Sequence, residues 1–257
     1  MQAEAEAVAA EAPSRVQAGG TLLAAVFFLS ASGLLFELTL TRIFSATIWY
    51  HYAFVAISVA LFGWGLGGFL VYILRLSRYE KQLDRIIPAL AMLPALLMPL
   101  FLATILQLPF TPDRLVLYFV LSLLPFLAGG ATLSLVFEAH GADSNRLYIA
   151  DLIGAACGVA LVPLIIRTFG AETAVLAIAV LPAIAAVLLA LTHRRRRPVL
   201  GAVSILVLAL TVGLTVWNYR TESLAIRDAP GKGLYQLLAA NPDSRILSDR
   251  WNAYSRI

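Results

Sequence analysis

The sequence has 257 residues, of which 60% are hydrophobic and only 13% charged, and its mean hydropathy is +0.85. An ordinary soluble domain is nearer half apolar and a quarter charged, so the composition excludes one. The net charge of +4 does not point to nucleic acid, because the basic residues sit in short patches beside apolar runs, where they set membrane orientation.

Residues Met1 to Gln17 are rich in Ala and Glu, with Glu4, Glu6 and Glu11. A secretory signal would open with a basic region and a shorter apolar core. The tail, taken as residues 1–19, is therefore expected to be disordered or loosely helical before a retained helix. Long apolar runs then predict about seven spans, over residues 20–41, 48–74, 86–108, 115–137, 147–169, 171–192 and 199–217. The third carries Pro88, Pro94 and Pro99 and is expected to kink. Residues 218–257 are polar and read as a short soluble tail. The predicted class is an all-α integral membrane protein, a bundle of about seven transmembrane helices over residues 20–217.

Orientation follows from the arginines. One basic loop holds Arg75, Arg78, Lys81 and Arg85, and a second runs from His193 to Arg197. An even number of predicted spans separates them, so they share a side, and the positive-inside rule makes that side cytoplasmic. The N-terminus is then cytoplasmic, and an odd span count puts the tail on the other side.

Ionisable residues within the spans are costly in lipid and raise a functional question. Glu37 shares a helix face with Ser30, Gly33 and Thr41, a small polar stripe suited to other helices. It reads either as a structural hydrogen-bond or ion-pair partner, or as a proton- or ligand-binding carboxylate. Arg42 is five residues further on, roughly 140° around the helix, so a salt bridge between the two is poor. Arg42 is instead expected to snorkel to the headgroups. Asp151 lies on a stripe with Gly154 and Gly158, with Tyr148 before it and Arg146 as a candidate partner. Glu37, Arg42, Arg146, Tyr148 and Asp151 are thus the candidate intramembrane polar site.

Gly154 and Gly158 form a GxxxG pair, and Gly63 and Gly67 align with Ala56 and Ala60 into a second small-residue seam. Gly63, Gly65 and Gly68 match GxGxxG, but a dinucleotide fingerprint needs a strand before it and a helix start within it. Here the match lies inside a long apolar run. Trp49, Tyr50 and Tyr52, with His51, read as an interfacial belt. The single Cys157 lies in an apolar run, so no internal disulfide and no cysteine-based metal site is expected. The spacing of acids, histidines and serines contains no catalytic, cofactor-binding or metal-binding pattern.

The stretch SGLLFELTLTRIFS through LFGWGLGG resembles the membrane portion of bacterial membrane-bound spermidine synthase-like proteins. NRLYIADLIGAACGVALVPLII resembles it too, with Arg146, Tyr148, Asp151, Gly154 and Gly158 in the pattern. The tail SDRWNAYSRI is similar to the strand that opens the aminopropyltransferase domain of those fusions. The resemblance implies a bacterial inner membrane and a transferase domain as partner, beyond Ile257. That domain would use decarboxylated S-adenosylmethionine, and no cofactor or catalytic residue is carried into this sequence. Two functions remain as expectations. One is a membrane domain that anchors or partners a transferase domain, or serves as a subunit of a membrane complex. The other is a small transporter of polyamines or other organic cations using Glu37 and Asp151.

Overall fold

The computed structural model describes residues 19–48, 52–108, 110–192, 198–224 and 240. The N-terminal tail, the aromatic turn at Trp49 to His51, the block His193 to Arg197 and the strand-like Trp251 to Ile257 lie outside them. Among the described residues every regular element is helical: α1 (Gly20–Thr47), α2 (Tyr52–Ile73), α3 (Glu80–Gln107), α4 (Leu115–Ala139), α5 (Ser144–Thr192) and α6 (Pro198–Thr221). Single 3-10 turns, Leu76–Arg78, Pro112–Arg114 and Gly141–Asp143, precede α3, α4 and α5.

Helices are what such a sequence must form in lipid, where each backbone N–H and C=O has to be satisfied within its own segment. Hydroxyl groups in the spans do the same. Ser32, Thr41, Ser122 and Thr132 each donate to a carbonyl one turn earlier, so they add no unsatisfied polar group. Six helices among the described residues are long and apolar enough to cross a membrane, with α5 counted once. α3 passes through Pro88, Pro94 and Pro99 as one continuous helix. α1 runs on to Thr47, beyond the apolar run that predicted it, because hydropathy marks the hydrocarbon core and not the end of the helix.

Two buried clusters mark the two ends of the bundle. The first joins Leu22 and Val26 of α1 to Val71 of α2, Ile87 and Ala91 of α3, and Leu135 of α4. The second joins Phe36 and Phe44 of α1 to Ala56 and Ala60 of α2, Phe101 of α3, and Tyr118 and Phe126 of α4. The first is called the basic end, since the Arg75 to Arg85 connection lies there. The second is the aromatic end: Phe36 meets Phe101 edge-on at 5.9 Å, and Phe110 meets Tyr118 edge-on at 5.5 Å. α1 runs from the basic end to the aromatic end, α2 returns, α3 repeats the path of α1, and α4 that of α2.

α5 is not a straight rod. Its 49 residues would extend about 73 Å, over twice the hydrocarbon thickness of a bilayer. Gly170 interrupts it with φ 74° and ψ 163°, backbone geometry open essentially to glycine alone. Residues 144–169 carry Leu147 in the basic-end cluster and Val162 and Ile166 in the aromatic one. Residues 171–192 carry Ala171, Ala174 and Val175 in the aromatic cluster, and Ala186 and Leu189 in the basic one. The helix therefore doubles back at Gly170. α6 then leaves the basic end, where Val207 is buried, and reaches the aromatic end, where Leu224 packs.

The outer surface is apolar. Phe54 and Phe62 of α2, Leu164 of α5 and Leu206 of α6 are each at least 60% exposed. Soluble monomers rarely expose continuous apolar surface of this kind, whereas a lipid-facing surface requires it.

Gly170→Ala is expected to cost about 1–3 kcal/mol, the strain of a non-glycine residue in that backbone region. Gly201→Ala, in α6 with open space around it, should be neutral or stabilising by up to about 1 kcal/mol. Unfolding in mild detergent measures both, and equal effects would contradict a special turn at Gly170.

Candidate functional site

Two glycine seams bring the helices close enough for polar side chains to meet. On α5, Gly154 and Gly158 lie against the backbone of α1. A Cβ at Gly154 would stand 2.9 Å from Phe27 Cα, and one at Gly158 3.1 Å from Ala31 Cα. Both pairs advance by four residues along both helices, so α1 and the first limb of α5 run the same way. On α2, a Cβ at Gly63 would come 2.6 Å from Phe126 Cβ, and one at Gly67 2.6 Å from the Ala131 nitrogen of α4. Small residues at such crossings let backbones approach where lipid supplies no hydrophobic driving force.

Trp64 of α2 wedges into the space the glycines leave. Its ring occupies the position that a side chain at Gly33 of α1 would need, and a Cβ at Gly129 of α4 would stand 3.0 Å from its Cη2. One indole of α2 thus packs against two other helices, α1 and α4. Nothing in the spacing of Trp64 alone announces this, because the two glycines it covers are about a hundred residues apart in sequence.

The α1–α5 seam also brings a candidate carboxylate to a partner on another helix. The Ser30 hydroxyl donates to Asp151 Oδ1, and Ser30 is buried. Asp151 sits one turn before Gly154, so the close approach at the glycines brings its short side chain within reach of α1. Tyr148 is exposed, and so is Arg146. The structure therefore takes Asp151 into the α1–α5 contact and leaves Tyr148 on the outer face of the same helix.

Glu37 is half-buried on α1, and so is Arg42. Among the described residues neither has a hydrogen-bond or ion-pair partner. Arg42 lies inside α1 and not at its end, and its Nε is shut off from solvent without a hydrogen bond. The side chain of Thr39 between them is likewise buried with an unpartnered hydroxyl. Glu37 stands two helical turns, about 10 Å along the axis, from Ser30. The two carboxylates consequently do not share one pocket. No cluster of three or more potential metal ligands occurs among the described residues.

A polar tie that the sequence reading did not single out lies at the aromatic end. Asn218 of α6 is 1% exposed. Its Nδ2 donates to Thr173 Oγ1 on the second limb of α5 at 2.9 Å, and its Oδ1 accepts from the Leu224 backbone N–H at 2.7 Å. The available signal was an asparagine closing an apolar run, next to Trp217. A buried amide in that setting needs partners, but its partners depend on the turn at Gly170.

The chain matches no known protein-family model, no curated protein and no solved structure.

A double-mutant cycle over Ser30→Ala and Asp151→Ala should show a coupling of about 0.6–2 kcal/mol, the range for interhelical hydrogen bonds in membranes. Additive effects would mean that the contact carries no energy. Gly154→Leu should be far more damaging than either, because the backbone of Phe27 cannot move aside.

Proposed function

We propose that residues 20–221 form a seven-pass membrane anchor, with the two limbs of α5 crossing separately, that holds a soluble polypeptide at the aromatic end. The observation that carries this is the Asn218 tie. It bonds the last helix to α5 and also captures the Leu224 N–H, so the chain leaves the bundle through a fixed turn and not a frayed helix end. The filled interior supports the same reading: Phe36, Phe44, Phe101 and Phe126 are fully buried and joined by edge-on and tilted ring contacts, as suits a rigid platform.

The basic end faces the cytoplasm in this proposal. It carries Arg75, Arg78 and Arg85, and the sequence adds four consecutive arginines between α5 and α6. Such a surplus of arginine marks the cytoplasmic face of an inner-membrane protein. With an odd number of crossings, Leu224 then emerges on the opposite face. The resemblance to spermidine synthase-like proteins implies a transferase domain as the anchored partner, but decarboxylated S-adenosylmethionine is a cytosolic cofactor. The side of Leu224 thus decides between a transferase partner and an extracytoplasmic one. A phosphatase reporter fused after Leu224 should be active and a fluorescent reporter dark. The reverse pattern would overturn the orientation and favour the transferase.

The unpaired Glu37 supports a second reading, a carrier of organic cations. The anchor reading predicts that proteoliposomes of the full chain take up no labelled polyamine. Uptake that Glu37→Gln abolishes, in a protein that still folds, would replace the anchor with the carrier.

A further inference from the structure

At the basic end α3 and α6 leave a cavity of about 480 Å³, lined by Arg85, Ala89, Pro198, Val199, Leu200 and Val203. Its volume lies within the range of small-molecule sites. Beside it the Ser204 hydroxyl donates to the Met92 sulfur at 3.5 Å and joins the same two helices. Along the bundle axis the lining changes character. Arg85 and Pro198 stand toward the starts of their helices, while Ala89 and Val203 lie a turn further into the apolar zone.

Arg85 is the charged member of this lining. Its side chain is exposed, and among the described residues it has no hydrogen-bond or ion-pair partner. The remaining walls offer alkyl groups alone. A free anion would use Arg85 and leave the walls uncovered. A neutral lipid would cover the walls and leave the guanidinium unpaired. An occupant that satisfies both is an amphiphile with an anionic head and an acyl chain.

We propose that this cavity binds an anionic glycerophospholipid, its phosphate on Arg85 and one acyl chain along Ala89, Val199 and Val203. Charge complementarity favours that head. Arg75, Arg78 and Lys81 lie in the connection that leads to Arg85, and four arginines immediately precede Pro198 in sequence. Glu80 and Asp84 offset this surplus in part. Basic pockets between helices on the cytoplasmic side are a recurrent site for such headgroups. The inference rests on membrane embedding and not on the anchor role, so loss of either leaves the other standing.

Native mass spectrometry of the full chain, released from micelles holding equal phosphatidylglycerol and phosphatidylcholine, tests it. The wild type should retain phosphatidylglycerol preferentially. Arg85→Gln should cut that preference roughly fivefold, the contribution of one basic residue near an anionic membrane surface, without reducing phosphatidylcholine retention. Val203→Trp, which fills the cavity from a residue 41% exposed, should lower retention of both lipids. Circular dichroism and size exclusion establish that each variant is folded. An unchanged preference in folded Arg85→Gln, undiminished retention in folded Val203→Trp, or displacement of the lipid by inorganic phosphate would each overturn the proposal.

Discussion

The packing of this protein depends on one backbone reversal. A helix of 49 residues is too long to cross a bilayer once, and at Gly170 the backbone adopts a conformation that side-chain-bearing residues avoid. The reversal carries a single element through both buried clusters twice. The first limb lies on α1 through Gly154 and Gly158. The second returns with Ala171, Ala174, Ala179, Ala183 and Ala186, all fully buried. Both limbs bury small residues, which is how helices approach closely when lipid tails are as apolar as their own side chains. α6 is brought back to the aromatic end as a result, where Asn218 meets Thr173.

This arrangement also sorts the polar groups. Asp151 is on the seam, so the geometry that packs the backbones brings it to Ser30. Arg42 and Thr39 are on α1 itself, with buried polar atoms that find no partner among the described residues. Glu37 keeps some exposure on the same helix. Along α1, Glu37, unpaired among the described residues, thus stands about 10 Å from Ser30, where Asp151 of α5 is bonded. An uncompensated ionisable group in a span is expensive, and that contrast sets Glu37 apart from Asp151 as a target for mutation.

Much of the architecture was legible in the sequence, for a plain reason. Runs of twenty apolar residues have few alternatives to a spanning helix, and each predicted span overlaps a helix or a limb of α5. The ends were less legible. Polar residues such as Ser45 and Thr47 continue α1 past its apolar run, and Asn218 to Thr221 extend α6. Side-chain partners were the hardest to read. Ser30 with Asp151, Trp64 with Gly33 and Gly129, and Asn218 with Thr173 each depend on the register between helices far apart in sequence. A single sequence carries no direct record of that register.

The distance between the two ends of α5 tests this architecture most directly. Spin labels at Gly141 and Leu191, in a Cys157→Ser background, occupy sites that are open or 57% exposed. A helix folded back at Gly170 places them at the same end of the bundle, under about 25 Å apart including the labels, as neighbouring helices allow. An unbroken helix would hold them about 75 Å apart, and a distance approaching that value would contradict the fold-back and everything packed upon it.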